Sequence, residues 1–131
     1  MKKVKIIIEK SLDSYGAYSE NVPGIYGAGD TAEACKKSVL DAIDTIKMLD
    51  KEQIPNALKG DYELVYQFDT ISLLNYYKGI FSNSALEKLT GINQKQINHY
   101  ASGHRKPRAE QRVKIETALH SLGKELMTIE L

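Results

Sequence analysis

Apolar positions near the start of the chain recur at every second residue: Val4, Ile6 and Ile8 alternate with Lys3, Lys5 and Glu9. That is the period of a strand with one buried face. Residues 11–14 supply a turn, residues 15–20 a second strand, residues 21–24 a second turn around Pro23, and residues 25–28 a third strand. The expectation is a meander of three antiparallel strands. The period then changes. Ala32, Cys35, Val39, Ala42, Ile43, Ile46 and Leu49 recur at helical spacing to about Asp50, making one apolar stripe that should lie on the sheet. Asp30 is expected to cap this helix, with Glu33 three residues on as its capping-box partner. Residues 51–61, with Pro55, Asn56 and Gly60, read as a loop. Residues 62–68 read as a fourth strand, with Leu64, Tyr66 and Phe68 on one face. The order is therefore strand, strand, strand, helix, strand.

Beyond this point the pattern is helical. Leu86 and Leu89 are spaced to face a core, Gly91 stands where the first short helix must stop, and Ile92 fills the corner. A chain leaving a helix commonly passes through positive φ, which a Cβ penalises. Asn93 can cap a second helix over residues 94–102, with Gln96 completing an Asn-x-x-Gln variant of the capping box, and Gly103 ends that helix in the same way. Ile97, Tyr100 and Ala101 fall on its inner side, leaving Gln94, Lys95, Asn98 and His99 outward. A last helix over residues 109–122 starts after Pro107 and pauses at Gly123. Its Ile115, Leu119 and Leu122 should close a small core over Ile97 and Leu89, with His120 partly buried among them. Leu126, Met127, Ile129 and Leu131 form an apolar tail, expected to add a strand or a dimer contact.

Composition narrows the class. With 131 residues, 42% hydrophobic and 27% charged, the chain reads as a globular protein of one or two small domains. No run approaches the roughly 18 apolar residues needed to span a bilayer, and the start is too short in apolar residues for a secretory signal, so a cytoplasmic location is expected. The single Cys35 excludes an intramolecular disulfide and reads as a small core residue. Charge divides the chain: residues 1–69 hold 9 Lys and 12 acids, net −3, and residues 70–131 hold 9 Lys plus Arg and 5 acids, net +4. The acidic half should repel DNA and the basic half attract it.

The basic half carries the sharper chemistry. Asn and Gln can bond bidentately to adenine edges and Lys can reach guanine acceptors, so the outward set Gln94, Lys95, Asn98 and His99 suits a major groove, with Gln96 a further DNA-contact candidate. Ser102, His104, Arg105, Lys106, Arg108, Arg112 and Lys114 follow, suited to phosphate. From Asn93 to Lys114 there are six Lys or Arg against the one acid Glu110. The bland alternative is a solvated amphipathic helix pair.

The segment TGINQKQINHYASGHRKP resembles the helix-turn-helix of the XRE family, which includes the Cro and lambda-like repressors, and the resemblance covers roughly residues 71–126. It implies a compact domain of four or five helices that binds operators as a dimer. By position Gln94, Lys95 and His99 would face bases, while Asn93, Ser102, Arg105 and Lys106 would touch backbone. One position departs from the family pattern. Where a small residue normally lies, four before the turn glycine, this chain has Glu87. Either Glu87 tilts outward in a Ser84-x-x-Glu87 capping box or the helices cross more loosely; the first is the expectation.

In the first half, the strand–helix order, Y-G-A-Y ahead of Pro23-Gly24, and Gly29-Asp30-Thr31-x-Glu33-Ala34 resemble the HicB antitoxin domain, a truncated RNase H-like fold. HicB proteins commonly carry a C-terminal DNA-binding domain and repress their own operon. The resemblance implies a partner, a small basic HicA toxin that cleaves mRNA and is silenced when its active site is covered. Tyr18, Glu20, Tyr26, Asp41 and Asp44 are the candidate contacts; the ordinary reading is tyrosines packing at a sheet margin and solvated carboxylates.

Catalysis is not expected. Asp13, Asp30, Glu33, Asp41 and Asp44 do not converge on a strand carboxylate as a Mg²⁺-dependent nuclease requires. His99, His104, His120 and Cys35 lack metal-ligand spacing, so neither metal nor cofactor is expected. The combined expectation is an α+β chain: a small antiparallel sheet with one helix at 1–69, HicB-like, and an all-α lambda-repressor-like unit at 70–131. The expected function is an antitoxin that neutralises a HicA-like toxin and binds operator DNA as a homodimer or higher homo-oligomer. The alternative is a helix-turn-helix regulator whose first domain serves oligomerisation or ligand sensing.

Overall fold

A computed structural model describes residues 1–131 and places them in two compact units, Met1–Tyr76 and Tyr77–Leu131. In the first unit the strands are β1 (Lys2–Lys10), β2 (Tyr15–Ser19), β3 (Tyr26–Gly29) and β4 (Tyr62–Phe68), with helix α1 (Ala32–Lys47) between β3 and β4 and helix α2 (Thr70–Tyr76) after β4. The sheet order is β3-β2-β1-β4. β1 to β3 form the antiparallel meander, with Ile8 opposite Ala17 and Tyr18 opposite Tyr26. β4, in contrast, runs parallel to β1, from Lys2 opposite Tyr62 to Ile8 opposite Phe68, so the sheet is mixed rather than antiparallel. The direction follows from the connection: α1 carries the chain back along the sheet, and the strand after it can start beside the beginning of β1.

Alternation decides what is buried. Val4, Ile6 and Ile8 are fully buried, and Tyr15, Ala17, Val22, Ile25, Ala32, Cys35, Val39, Ile43 and Leu58 complete one core between the sheet and α1. Tyr62, Leu64, Tyr66 and Phe68 pack against it from β4. α1 lies close on β3 because β3 ends in glycine: a Cβ at Gly29 would stand 2.8 Å from both Ala34 Cβ and the Cys35 backbone nitrogen. The cap of α1 is Thr31, not Asp30, since it is the Thr31 hydroxyl that accepts from the Ala34 N–H at 3.0 Å. That shift of one residue removes Glu33 from the N3 position a capping box needs. The helix also ends at Lys47, leaving Leu49 beyond it and half-exposed.

The division between units falls after Tyr76 rather than after Asp69. α2 belongs with the sheet, and its start is tied there by Asp69, whose two carboxylate oxygens accept from the Ser72 N–H at 2.8 Å and from the Lys10 N–H at the end of β1 at 2.9 Å. Phe68 and Tyr76 stack at 5.6 Å between ring centroids, and the Lys36 ammonium sits 4.2 Å above the Tyr66 ring.

The second unit is three helices, α3 (Asn83–Thr90), α4 (Gln94–Ser102) and α5 (Ala109–Leu126), around Leu86, Ile92, Ile97, Tyr100 and Ile115. Leu89, Leu119 and Leu122 are only half-buried at its margin, and His120 is exposed rather than packed. α5 runs through Gly123 to Leu126; a glycine inside a helix costs about 1 kcal/mol relative to alanine, too little to stop one. The residues after it, with Met127, Ile129 and Leu131, are exposed and form no strand.

Candidate nucleic-acid interface

The α3–α4 pair is built by a short series of local bonds. Ser82 caps α3, its hydroxyl accepting from the Ala85 N–H at 3.0 Å, so Ser84 is inside the helix and forms no box with Glu87. Gly91 leaves the helix at φ 77° and donates to the Glu87 carbonyl at 2.8 Å. Thr90 then bridges the corner: its hydroxyl donates to the Leu86 carbonyl at 2.7 Å and accepts from the Ile92 N–H at 3.0 Å. Asn93 caps α4 through the Lys95 N–H at 2.8 Å. The reciprocal half of the box is missing, because the Gln96 amide donates instead to the Tyr100 hydroxyl at 3.0 Å. The place at the helix start is taken by Glu87, whose carboxylate accepts from the Gln94 N–H at 2.7 Å.

Glu87 therefore has a role that the sequence reading missed. It is half-buried and reaches toward α4, with its partner seven residues on, across the turn. The only signal available in sequence was its lone negative charge ahead of a helix start, where a carboxylate complements the exposed N–H groups.

On α4, Ile97 and Tyr100 are buried and Gln94, Lys95 and Asn98 are exposed together on the outer side. Asn93 and Ser102 are exposed at the two ends of the helix. Gln96 and His99 are half-buried, and the Gln96 amide is held within the helix, so these two are the least free of the amide and basic residues on α4. The His99 ring packs on His104 at 4.9 Å between centroids, with its Nδ1 buried and unpartnered. Its backbone carbonyl collects the Arg105 N–H at 3.2 Å and the Ser102 hydroxyl at 3.3 Å, folding the loop back against the end of α4. His104, Arg105, Lys106 and Arg108 are all exposed along that loop, and Arg112 reaches from α5 to the Pro107 carbonyl at 3.0 Å. Residues 70–76 carry no charge, so the second unit holds the whole excess of 9 Lys plus Arg over 5 acids.

In the first unit the candidate contacts divide between two sides. Tyr18 and Tyr26 are paired across β2 and β3 and are 39% and 68% exposed on the sheet face opposite α1. Glu20 lies beside them in an ion pair with Lys5 at 3.1 Å. Asp41 and Asp44 are exposed on the outer side of α1, opposite Val39 and Ile43.

Cys35 is wholly buried, and burial pushes its thiol up from its ordinary value. No three His, Cys, Asp or Glu side chains are grouped to hold a metal ion, and no helix is long and apolar enough to cross a membrane. No family model, curated protein or solved structure matches the chain.

Proposed function

We propose that the chain is a cytoplasmic HicB-like antitoxin that represses its own operon through the second unit and neutralises a HicA-like ribonuclease through the first. The observation that carries the DNA reading is the α3–Gly91–α4 pair, with Gln94, Lys95 and Asn98 free on one side of α4 and the loop His104–Arg108 extending their basic surface. Gln94, Lys95 and Asn98 would read base edges, and Asn93, Ser102, Arg105, Lys106 and Arg108 would hold the backbone. His99 and Gln96, half-buried, are the weakest members of the base-reading set. α5 exposes Val113 (60%) and Leu126 (54%) beside an open groove lined by Leu89, Ala118 and Leu122, which supports pairing of two copies. Two-fold pairing would set two α4 helices about one duplex turn apart on a roughly palindromic operator.

For the toxin, the tyrosine face of the sheet is the better docking surface of the two, because exposed tyrosines supply apolar area with a polar tip. The exposed carboxylates Asp41 and Asp44 lie on the other side and are read as solvated. The test is binding of the purified protein to a labelled fragment of its own upstream region, against random duplex and across a salt series. Retained preference over random DNA supports the reading, and weak, equal binding to both rejects it. Gel filtration with the product of a neighbouring gene for a small basic protein tests the antitoxin role. Absence of a complex would leave a helix-turn-helix regulator whose first unit serves oligomerisation or ligand sensing.

A further inference from the structure

We infer that Glu87 sets the discrimination of the DNA-facing helix, by occupying with a fixed carboxylate the amide site where α4 would otherwise hold a backbone phosphate. The inference rests on the DNA-binding reading of α4 and deepens it. A helix start is a ready anion site, since its first N–H groups lack helical partners and the dipole favours negative charge. Here two of those groups are taken by side-chain oxygens of the protein itself: the Gln94 N–H by Glu87 at 2.7 Å and the Lys95 N–H by Asn93 at 2.8 Å. One of the two oxygens carries a formal charge. A phosphate approaching the start of α4 meets that charge in place of a free donor.

The consequence differs between sequences. On random DNA the affinity comes almost wholly from backbone attraction, and the protein can settle wherever phosphates are best met. Glu87 withholds the Gln94 N–H from that use, leaving the backbone to the Asn93 side-chain amide and to the loop cations at the other end of the helix. On an operator the register is set by the base edges that Gln94, Lys95 and Asn98 reach, so the phosphates are already held where those contacts put them. The bond to the Gln94 N–H also holds the first turn of α4 against α3, which keeps the Gln94 side chain in place for reading.

The experiment compares wild type with Glu87→Gln, which retains an acceptor for the Gln94 N–H and removes the charge, on the upstream fragment and on a random duplex of equal length. Glu87→Gln is expected to bind random DNA about two- to fivefold more tightly at low salt, with the preference for the upstream fragment falling by the same factor. The gain should shrink as salt rises, because the Debye length falls to about 8 Å at 0.15 M. Glu87→Ala should show the same gain on random DNA and in addition lose affinity for the upstream fragment and some melting temperature, since the bond is gone. Unchanged affinity of Glu87→Gln for random DNA would overturn the inference while leaving the DNA reading intact. A wild-type protein that binds neither duplex would overturn both.

Discussion

Gly29 tests the packing of the first unit most directly. It lies at the end of β3, where an added methyl would stand 2.8 Å from Ala34 Cβ, 2.8 Å from the Cys35 nitrogen and 2.9 Å from the Ala34 carbonyl carbon. Two of those three atoms are backbone, so the strain cannot be relieved by turning a side chain; α1 or β3 must move. Forcing an extra methyl into a packed site of this kind costs about 1–3 kcal/mol. Glycine to alanine also restricts the unfolded chain, which stabilises by about 0.4–1 kcal/mol wherever the native backbone accepts it. Gly16 on the adjacent strand supplies the control: it pairs with Ala28, and nothing lies within 4 Å of a Cβ placed there. The unfolded-state gain is common to both substitutions and cancels in their difference. Gly16→Ala is expected to stabilise slightly, and Gly29→Ala to be about 1–3 kcal/mol less stable than Gly16→Ala, roughly 4–8 °C of melting temperature for each kcal/mol. With no tryptophan and eight tyrosines in the chain, urea unfolding followed by far-ultraviolet circular dichroism is the suitable assay. Equal stability of the two variants would refute the close approach of β3 to α1.

Three further outcomes follow from the same geometry. Ile97 is fully buried in the small core of the second unit, so Ile97→Ala is expected to destabilise that unit by about 2–5 kcal/mol, a large part of the roughly 3–8 kcal/mol a domain of its length holds; a loss under 1 kcal/mol by thermal melt would contradict the packing. Burial, with the nearby Asp69 carboxylate second, pushes the Tyr15 hydroxyl above its ordinary value of 10.0, so the folded state holds the proton more tightly than the unfolded one. Its contribution to stability is complete below pH about 10 and is lost as pH rises through the folded value; Tyr15→Phe should flatten the alkaline decline, and an unchanged decline would assign it to other groups, Tyr66 first among them. Lys95→Ala is expected to cost about 1–3 kcal/mol on the operator and relax preference at one base, whereas Lys106→Ala should weaken all sequences alike and reduce the salt slope by about one. Equal losses for Lys95→Ala on operator and random DNA would remove its base-reading role.

Features written into local sequence were legible, and features decided by distant partners were not. Gly91 and Gly103 mark the ends of α3 and α4 in sequence, and both residues take positive φ in the structure, 77° and 79°. The alternation of Val4, Ile6 and Ile8 names the buried face of β1 because burial follows the strand period directly. The same alternation in β4 says which side faces inward but nothing of its neighbour or direction, so the parallel pairing with β1 could not be read. Asp30 and Thr31 are both competent caps, and which oxygen reaches the Ala34 N–H depends on where the backbone turns. At the candidate site, the exposed positions of α4 follow from its period, but the reach of Glu87 to Gln94 requires knowing how two helices cross. His120 illustrates the converse: a polar residue near an apolar stripe is assigned inward or outward by about one helical step, and here it falls outward.

The parallel pairing of β1 with β4 has a consequence for biosynthesis. Lys2 meets Tyr62 and Ile8 meets Phe68, so β1 cannot gain its second neighbour until the ribosome has released the whole of α1 and the strand after it. At ordinary elongation rates that interval is about 3–12 s. Throughout it, β1 is an edge strand of the growing sheet, the kind of segment that other chains can join. Its protection is written in the alternate positions: Lys3, Lys5 and Glu9 put charge along the strand that waits.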